Sequence, residues 1–356
     1  MIKLTEKQRV IVETTAPKVI VVASAAAGKT RCITERIRWL LEQGVAPEKI
    51  AAITFTNAAA EEISERLGAP SGLFIGTIHS LANTFLRMGG VDTSKILDEE
   101  KFDELFECIK HNPQCIQEIE HLIVDEAQDS NPDQFEFLLD MIAPDNFMLM
   151  GDHRQSIYRW NGAEPDYILS LMSRPDIQVY DLNENFRNAP EILDYARRLI
   201  KSAGLEYFDR SVAMRKMRGA VVDVEYSGPG IARTIKQRVE SGKDEYRDWF
   251  VLTRSNAQSE EMIAHLTKAK IPCDTFKKSN LDNKGLNEKM KENTVKVLTI
   301  HTAKGLESKN VVVVGAQYRT VEERCISYVA ATRARDLLVW TRKKTSKKPM
   351  AEYWDY

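Results

Sequence analysis

Two rhythms alternate along this 356-residue chain. Short continuous apolar runs recur at 18–23, 51–55, 73–77, 121–125, 147–150 and 178–182. Between them, at 30–42, 57–67 and 133–142, apolar residues return every three or four positions. Runs without alternation predict strands buried on both faces, as in a parallel sheet, and the amphipathic stretches predict helices that cover it. After Asn188-Ala-Pro190 a second set begins, with strands expected at 220–226, 249–252, 295–300, 311–315 and 337–341. The pattern predicts an α/β protein of two parallel-sheet lobes, 1–185 and 186–356, without internal repeats or low-complexity segments. The polar, Lys/Asn-rich stretch 276–293 has neither rhythm and reads as a surface loop.

Two of the strand ends carry chemistry. The first run enters Ser24-Ala25-Ala26-Ala27-Gly28-Lys29-Thr30 and then a helical stretch. Small side chains there let backbone N–H groups approach phosphate oxygens at a helix N-terminus. Lys29 suits the β- and γ-phosphates, and the Thr30 hydroxyl suits Mg²⁺. Ser24 stands where such loops usually open with Gly, and Ala26 where a second Gly is common. The fourth run delivers Asp125 and Glu126 together. Asp125 is positioned to hold Mg²⁺ through water, and Glu126 to orient and deprotonate an attacking water. The two motifs in this order predict ATP hydrolysis.

Composition narrows the partners. With 50 Lys and Arg against 52 Asp and Glu, the net charge of −2 excludes a protein that coats nucleic acid by bulk electrostatics, so any such contact is local. Basic residues do cluster at Arg215, Lys216 and Arg218, at Lys277 and Lys278, and at Arg342, Lys343, Lys344, Lys347 and Lys348. No apolar stretch approaches the ~20 residues of a membrane span, and the first eight residues contain no signal-peptide core. The five cysteines are odd in number and scattered, which suits free thiols, and Cys108, His111, Cys115 and His121 match no common zinc spacing. A cytoplasmic protein without membrane partners is expected.

Further blocks follow in a fixed order: Leu4-Thr-Glu-Lys-Gln8, Ile53-Thr-Phe-Thr-Asn57, Gly76-Thr-Ile-His79, Val124-Asp-Glu-Ala-Gln-Asp129, Gly151-Asp-His-Arg-Gln-Ser-Ile-Tyr-Arg-Trp160-Asn-Gly-Ala, Leu182-Asn-Glu-Asn-Phe-Arg187, Leu252-Thr-Arg-Ser-Asn-Ala-Gln258, Leu298-Thr-Ile-His-Thr-Ala-Lys-Gly-Leu-Glu307 and Tyr328-Val-Ala-Ala-Thr-Arg333. With the phosphate loop, this series resembles the UvrD/Rep-type superfamily 1 DNA helicases. The resemblance implies two RecA-like P-loop NTPase lobes with the ATP site in the cleft between them.

It also implies roles. Gln8 would read both edges of adenine, Arg31 and Phe186 would border the base, and Glu307 would contact the ribose or its water network. Gln155 would sense the γ-phosphate, and Arg187 and Arg333 would stabilise its transition-state charge. Phe55, Tyr158 and Trp160 would be stacking platforms for DNA bases, with Thr54, Thr56, His79, Arg254 and His301 on phosphates. The expected activity is ATP-dependent, Mg²⁺-dependent movement on single-stranded DNA, with the 3′→5′ polarity of the Gln-Ser-Ile-Tyr-x-Trp block, and strand separation at single/double-strand junctions. Two alternatives stand beside it: a motor subunit of a repair or recombination complex whose protein partner supplies unwinding, and a nucleotide-gated DNA-binding regulatory module without turnover. Family members carry a large inserted subdomain in each lobe, whereas this chain has only 88–120 and 277–293 at those places. Asn161 replaces a basic residue and Ser308 an aromatic one, changes that imply modest DNA affinity.

Overall fold

The computed structural model describes residues 3–68, 70–201, 210–276, 283–316 and 319–342. The basic positions 277, 278, 343, 344, 347 and 348 lie outside them. The chain divides into two compact units, one of residues 1–152 and 158–183, the other of 153–157 and 184–356.

The first unit is a six-stranded sheet of β1 (Lys18–Ala23), β2 (Ile50–Ile53), β3 (Phe74–Gly76), β4 (His121–Val124), β5 (Asn146–Gly151) and β6 (Gln178–Leu182), in the order β3-β2-β4-β5-β1-β6. Every pairing is parallel. The absence of alternation in the strand sequences has a direct cause. Ile20, Ala51, Ile53, Leu122, Val124 and Leu149 point to one face, toward Leu81, Phe85 and Phe106. Val19, Val21, Ala52, Ile123, Met148 and Met150 point to the other, toward Ile33, Ile37 and Leu40. Both sets must be apolar because helices cover both faces. Helix α1 (Glu6–Val12) precedes β1, α2 (Lys29–Glu42) follows it, and α3 (Asn57–Leu67) and α4 (Ile78–Met88) follow β2 and β3.

After a two-stranded pair, β7 (Glu184–Asn185) with β8 (Val212–Ala213), the second unit forms a sheet of β9 (Ala220–Glu225), β10 (Trp249–Thr253), β11 (Cys273–Asp274), β12 (Val295–Thr299), β13 (Ser308–Val313) and β14 (Ala334–Arg342). Its order is β11-β12-β10-β13-β14-β9, again all parallel. Val251, Val297, Val312 and Val339 pack against Ile231, Ile235, Met262 and Leu266. Among the described residues no helix is long and apolar enough to cross a membrane.

All eleven expected strands form, with shifted ends. The run at 51–55 leaves the sheet at Ile53, because Thr56 caps α3 with its hydroxyl on the Ala59 N–H and Phe55 turns outward. β13 and β14 start at Ser308 and Ala334, earlier than their apolar runs, since Ser308 pairs with Ala334 through backbone alone. The loop expected over 276–293 is corrected: Asn283–Lys291 is a helix. One buried residue, Leu286, anchors it, while Lys289 bonds Asp274 and Glu292, leaving too little apolar periodicity to read. The helix expected over 133–142 is a short α-turn, Pro132–Phe135, followed by a wider π-helical turn, Glu136–Met141. Phe135, Phe137 and Leu138 are all buried there.

Candidate active site

Parallel strands bring all their C-terminal ends to one edge of a sheet, where α/β proteins bind ligands. In the first unit β5 lies between β1 and β4, so the loop after β1, the Gly151-Asp152 turn and the carboxylates after β4 are neighbours.

The loop Ser24–Lys29 folds tightly. Its Ser24 N–H donates to Leu182 O, Ala27 N–H returns to Ser24 O, and Ala26 (φ 57°) and Gly28 (φ 84°) take left-handed conformations. Gly28 is required twice over. A side chain is strained at that φ, and a Cβ would stand 2.9 Å from Gln8 Nε2. Gln8 is 2% exposed; its Oε1 accepts from Thr5 N–H and its Nε2 donates to Ala27 O, 3.1 Å away. The amide expected to read adenine thus braces the phosphate loop in this structure. Lys29 and the half-buried Thr30 and Arg31 open α2, whose N-terminal N–H groups carry no side-chain cap.

Lys29 Nζ lies 2.7 Å from Glu126 Oε1. Burial alone would lower its pKa, but the charges of Glu126 and Asp125 outweigh burial and hold it above the ordinary lysine value. Glu126 is left-handed (φ 51°), and its N–H donates to Asp125 Oδ1 at 2.9 Å. Asp125, 9% exposed, and the Thr30 hydroxyl are hard oxygen donors of the kind Mg²⁺ takes, and Lys29 feels the Asp125 charge, so the residues present fit the ion.

Beside this site Phe55, 42% exposed, stacks on Tyr158 with centroids 4.9 Å apart and planes 24° apart. Tyr158 in turn lies 6.3 Å from Trp160, which is 69% exposed. Burial, then the charges of Asp129 and Glu126, push the Tyr158 phenol up, so it stays neutral. The three rings form one ladder. Thr56 is half-buried, capping α3, but Thr54 is 1% exposed and its hydroxyl closes onto Thr56 O at 2.9 Å. The expected Thr54–phosphate contact is therefore corrected: its hydroxyl is inside the turn. His79 Nε2 lies 3.2 Å from Asp103 Oδ1.

The second unit gathers the remaining residues. Arg187 pairs with Glu307, and its Nη1 donates to Thr332 O at 3.3 Å. Burial would raise the Glu307 pKa, but Arg187 holds it below the usual value. Phe186 is 43% exposed. Arg333, 2% exposed, donates to Val329 O, Leu306 O and, at 3.5 Å, Gln155 Oε1. His301 donates from Nε2 to Ile157 O at 3.2 Å; burial lowers its pKa, the carbonyl opposes this and Arg254 adds to it. Arg254 Nη1 is buried without a hydrogen-bond partner among the described residues.

Three residues without an expected role are central. Lys304 donates to Gln155 O at 2.9 Å. Arg154 is fully buried, donates to Ser211 Oγ at 3.1 Å and lies 5.3 Å over the Tyr328 ring. Together they fasten 153–157 into the second unit. Gln128, in the first unit, is fully buried beside Glu126. Each lies inside one of the ordered sequence blocks, but its polar neighbours give no local pattern that singles it out.

A phosphate loop after β1 and a carboxylate pair after β4 of a parallel sheet is the plan of a P-loop nucleoside triphosphatase. The chain belongs to the UvrD/Rep helicase family: the family model for the UvrD/REP helicase N-terminal domain matches residues 4–113 and 100–176, and that for the UvrD-like helicase C-terminal domain matches 275–345. It is 27% identical over 377 residues to the ATP-dependent DNA helicase Rep of Buchnera aphidicola subsp. Acyrthosiphon pisum, covering 78% of this chain and 58% of that protein. The ATP-dependent DNA helicase PcrA of Bacillus subtilis is 28% identical over 367 residues (75% and 49%), and DNA helicase II of Escherichia coli 25% over 371 (76% and 51%). The chain spans about half the length of the curated relatives it matches.

Proposed function

We propose that this chain hydrolyses ATP and uses the energy to move 3′→5′ along single-stranded DNA, separating strands at junctions. The observation that carries the reading is the convergence, in one unit, of Lys29 on Glu126 beside the Phe55–Tyr158–Trp160 ladder. A phosphate site and a stacking surface on the same rigid sheet edge are what coupling of hydrolysis to grip requires. The relatives' names and the matched family support DNA and ATP as the substrates.

In this reading the loop 24–28 holds the triphosphate by its backbone N–H groups, Arg31 and Phe186 border the base, and Lys29 reaches the β- and γ-phosphate oxygens. Thr30 and Asp125 would hold Mg²⁺, which would supply neutralising charge to the triphosphate. Glu126 takes a proton from water as the oxygen bonds to the γ-phosphorus and the bond to the ADP oxygen breaks, releasing phosphate. Arg187 and Arg333 stabilise the charge that develops, and Gln155, on the same unit as both and bonded to Arg333, senses the γ-phosphate. Thr56, His79, Arg254 and His301 take backbone phosphates, and the aromatic ladder takes bases without regard to sequence.

Steady-state ATP hydrolysis with and without a single-stranded DNA oligonucleotide tests the reading, with an RNA oligonucleotide and a tailed duplex as further arms. Turnover stimulated by DNA and abolished in Lys29→Ala is expected. Turnover that is absent, or unaffected by Lys29→Ala, overturns it.

A further inference from the structure

We propose that Gln128 is a positioning residue that fixes the catalytic orientation of Glu126 and locks it to the end of β5, an inference that rests on the hydrolytic reading above. Gln128 is fully buried, and all of its amide is in use. Nε2 donates to Glu126 Oε2 at 2.6 Å and to Asp129 Oδ2 at 3.2 Å, while Oε1 accepts from the Asp152 N–H at 2.9 Å. Glu126 therefore has Lys29 on one carboxylate oxygen and Gln128 on the other.

The neighbouring strand is shaped around this amide. A Cβ on Gly151 would lie 2.6 Å from Gln128 Oε1, closer than real contacts allow. Gly151 has no left-handed φ, so the demand for glycine there is one of space, set by the side chain of Gln128. The requirement for an amide is equally specific. A carboxylate at 128 could not donate to Glu126, and a methionine of similar length could not donate and would accept only weakly. A general base displaced by as little as ~1 Å can lose about 100-fold in rate while substrate binding persists. Beyond Asp152 the chain passes directly into 153–157, which carries Gln155. The Asp152 N–H bond thus ties the carboxylate to the root of that segment.

The test compares kcat and KM for ATP in the full chain, with single-stranded DNA present, for Gln128→Met, Gln128→Ala, Gly151→Ala and the Gln128→Ala/Gly151→Ala pair. Gln128→Met is expected to lose about 10- to 100-fold in kcat with KM for ATP within about threefold. Gly151→Ala should do the same by evicting the amide, and adding it to Gln128→Ala should cost no more than about twofold further. Wild-type kcat in Gln128→Met, a loss confined to KM, or full multiplication of the two single losses overturns the proposal. The bridge is also read without turnover: the Tm losses of Gln128→Ala and Glu126→Ala should combine to less than their sum, and additive losses overturn it. A wild-type chain without turnover would defeat the hydrolytic reading alone, leaving the Tm cycle to decide the bridge.

Discussion

Lys29 Nζ and Glu126 Oε1 stand 2.7 Å apart, an ion pair that joins the phosphate loop to the carboxylates across the end of the intervening strand. With side chains only 12% and 23% exposed, the pair is poorly screened, and Lys29 stays charged through the whole usable pH range. The two residues can nonetheless be separated by function. Glu126→Gln keeps shape and removes the base, so kcat for ATP should fall by about 10²–10⁴ with nucleotide affinity retained. Lys29→Ala should weaken triphosphate binding as well. Fluorescent-nucleotide titration beside a turnover assay distinguishes them, and full activity in Glu126→Gln would exclude its role as base.

The aromatic ladder gives a prediction on the DNA side. Trp160 is 69% exposed and Phe55 42%, so neither ring is needed for the core. Trp160→Ala should weaken binding of a mixed-sequence single-stranded oligonucleotide by about 5- to 150-fold, the equivalent of ~1–3 kcal/mol for one stacked base. Nucleotide affinity should not change. Phe55→Ala should act in the same direction, because it removes the ring on which Tyr158 stacks at 4.9 Å. Anisotropy titration reads both, and equal losses of DNA and nucleotide affinity would contradict a separate stacking surface.

What could be read beforehand follows from which forces leave a trace in linear order. Strands such as Val19–Ala23 were visible because both faces of a parallel strand must be apolar, and Lys29, Asp125 and Glu126 because phosphate chemistry fixes their distance from strand ends. The first residues of β13 were invisible: Ser308 and Asn310 pair by backbone, and Lys309 faces Asp244 at 2.8 Å, far away in sequence. Thr54 was misjudged because a hydroxyl has the same appearance in sequence whether it faces a phosphate or, as here, its own turn at Thr56 O. Gln128, Arg154 and Lys304 had no readable role since each acts through a partner brought near only by folding.

Acid should destabilise this fold through two half-buried imidazoles, those of His121 and His301. Burial lowers the pKa of His301 from 6.5, with Arg254 acting in the same direction, and burial with Arg36 does so for His121. A group with a lower pKa folded than unfolded binds fewer protons in the native state, so stability rises with pH across the window between the two values. Stability should therefore be full above about pH 7 and fall as pH drops below 6.5. His301→Asn and His121→Asn should each flatten that fall. Urea midpoints measured between pH 5 and 7.5 check this, and an unchanged slope in both variants would show that neither ring is held neutral.

Arg187 and Arg333 are expected to share one chemical task, yet their surroundings differ enough to predict different costs of removal. Arg333 is 2% exposed and donates to the carbonyls of Val329 and Leu306 at 3.0 and 3.2 Å. Truncation leaves buried acceptors unpaired, worth about 1.5–3 kcal/mol, which in a unit of this size lowers Tm by roughly 3–12 °C. Arg187 pairs with Glu307, whose side chain is 44% exposed, so water can replace it and the loss should stay near ~0–1 kcal/mol. Hydrolysis per folded molecule should fall by about 10³–10⁵ in both alanine variants if each guanidinium stabilises transition-state charge. Differential scanning fluorimetry and turnover, measured on the same preparations, separate the two effects. An Arg333→Ala variant that loses stability but keeps turnover would make that guanidinium a strut of the second unit, leaving Arg187 alone as the arginine of the reaction.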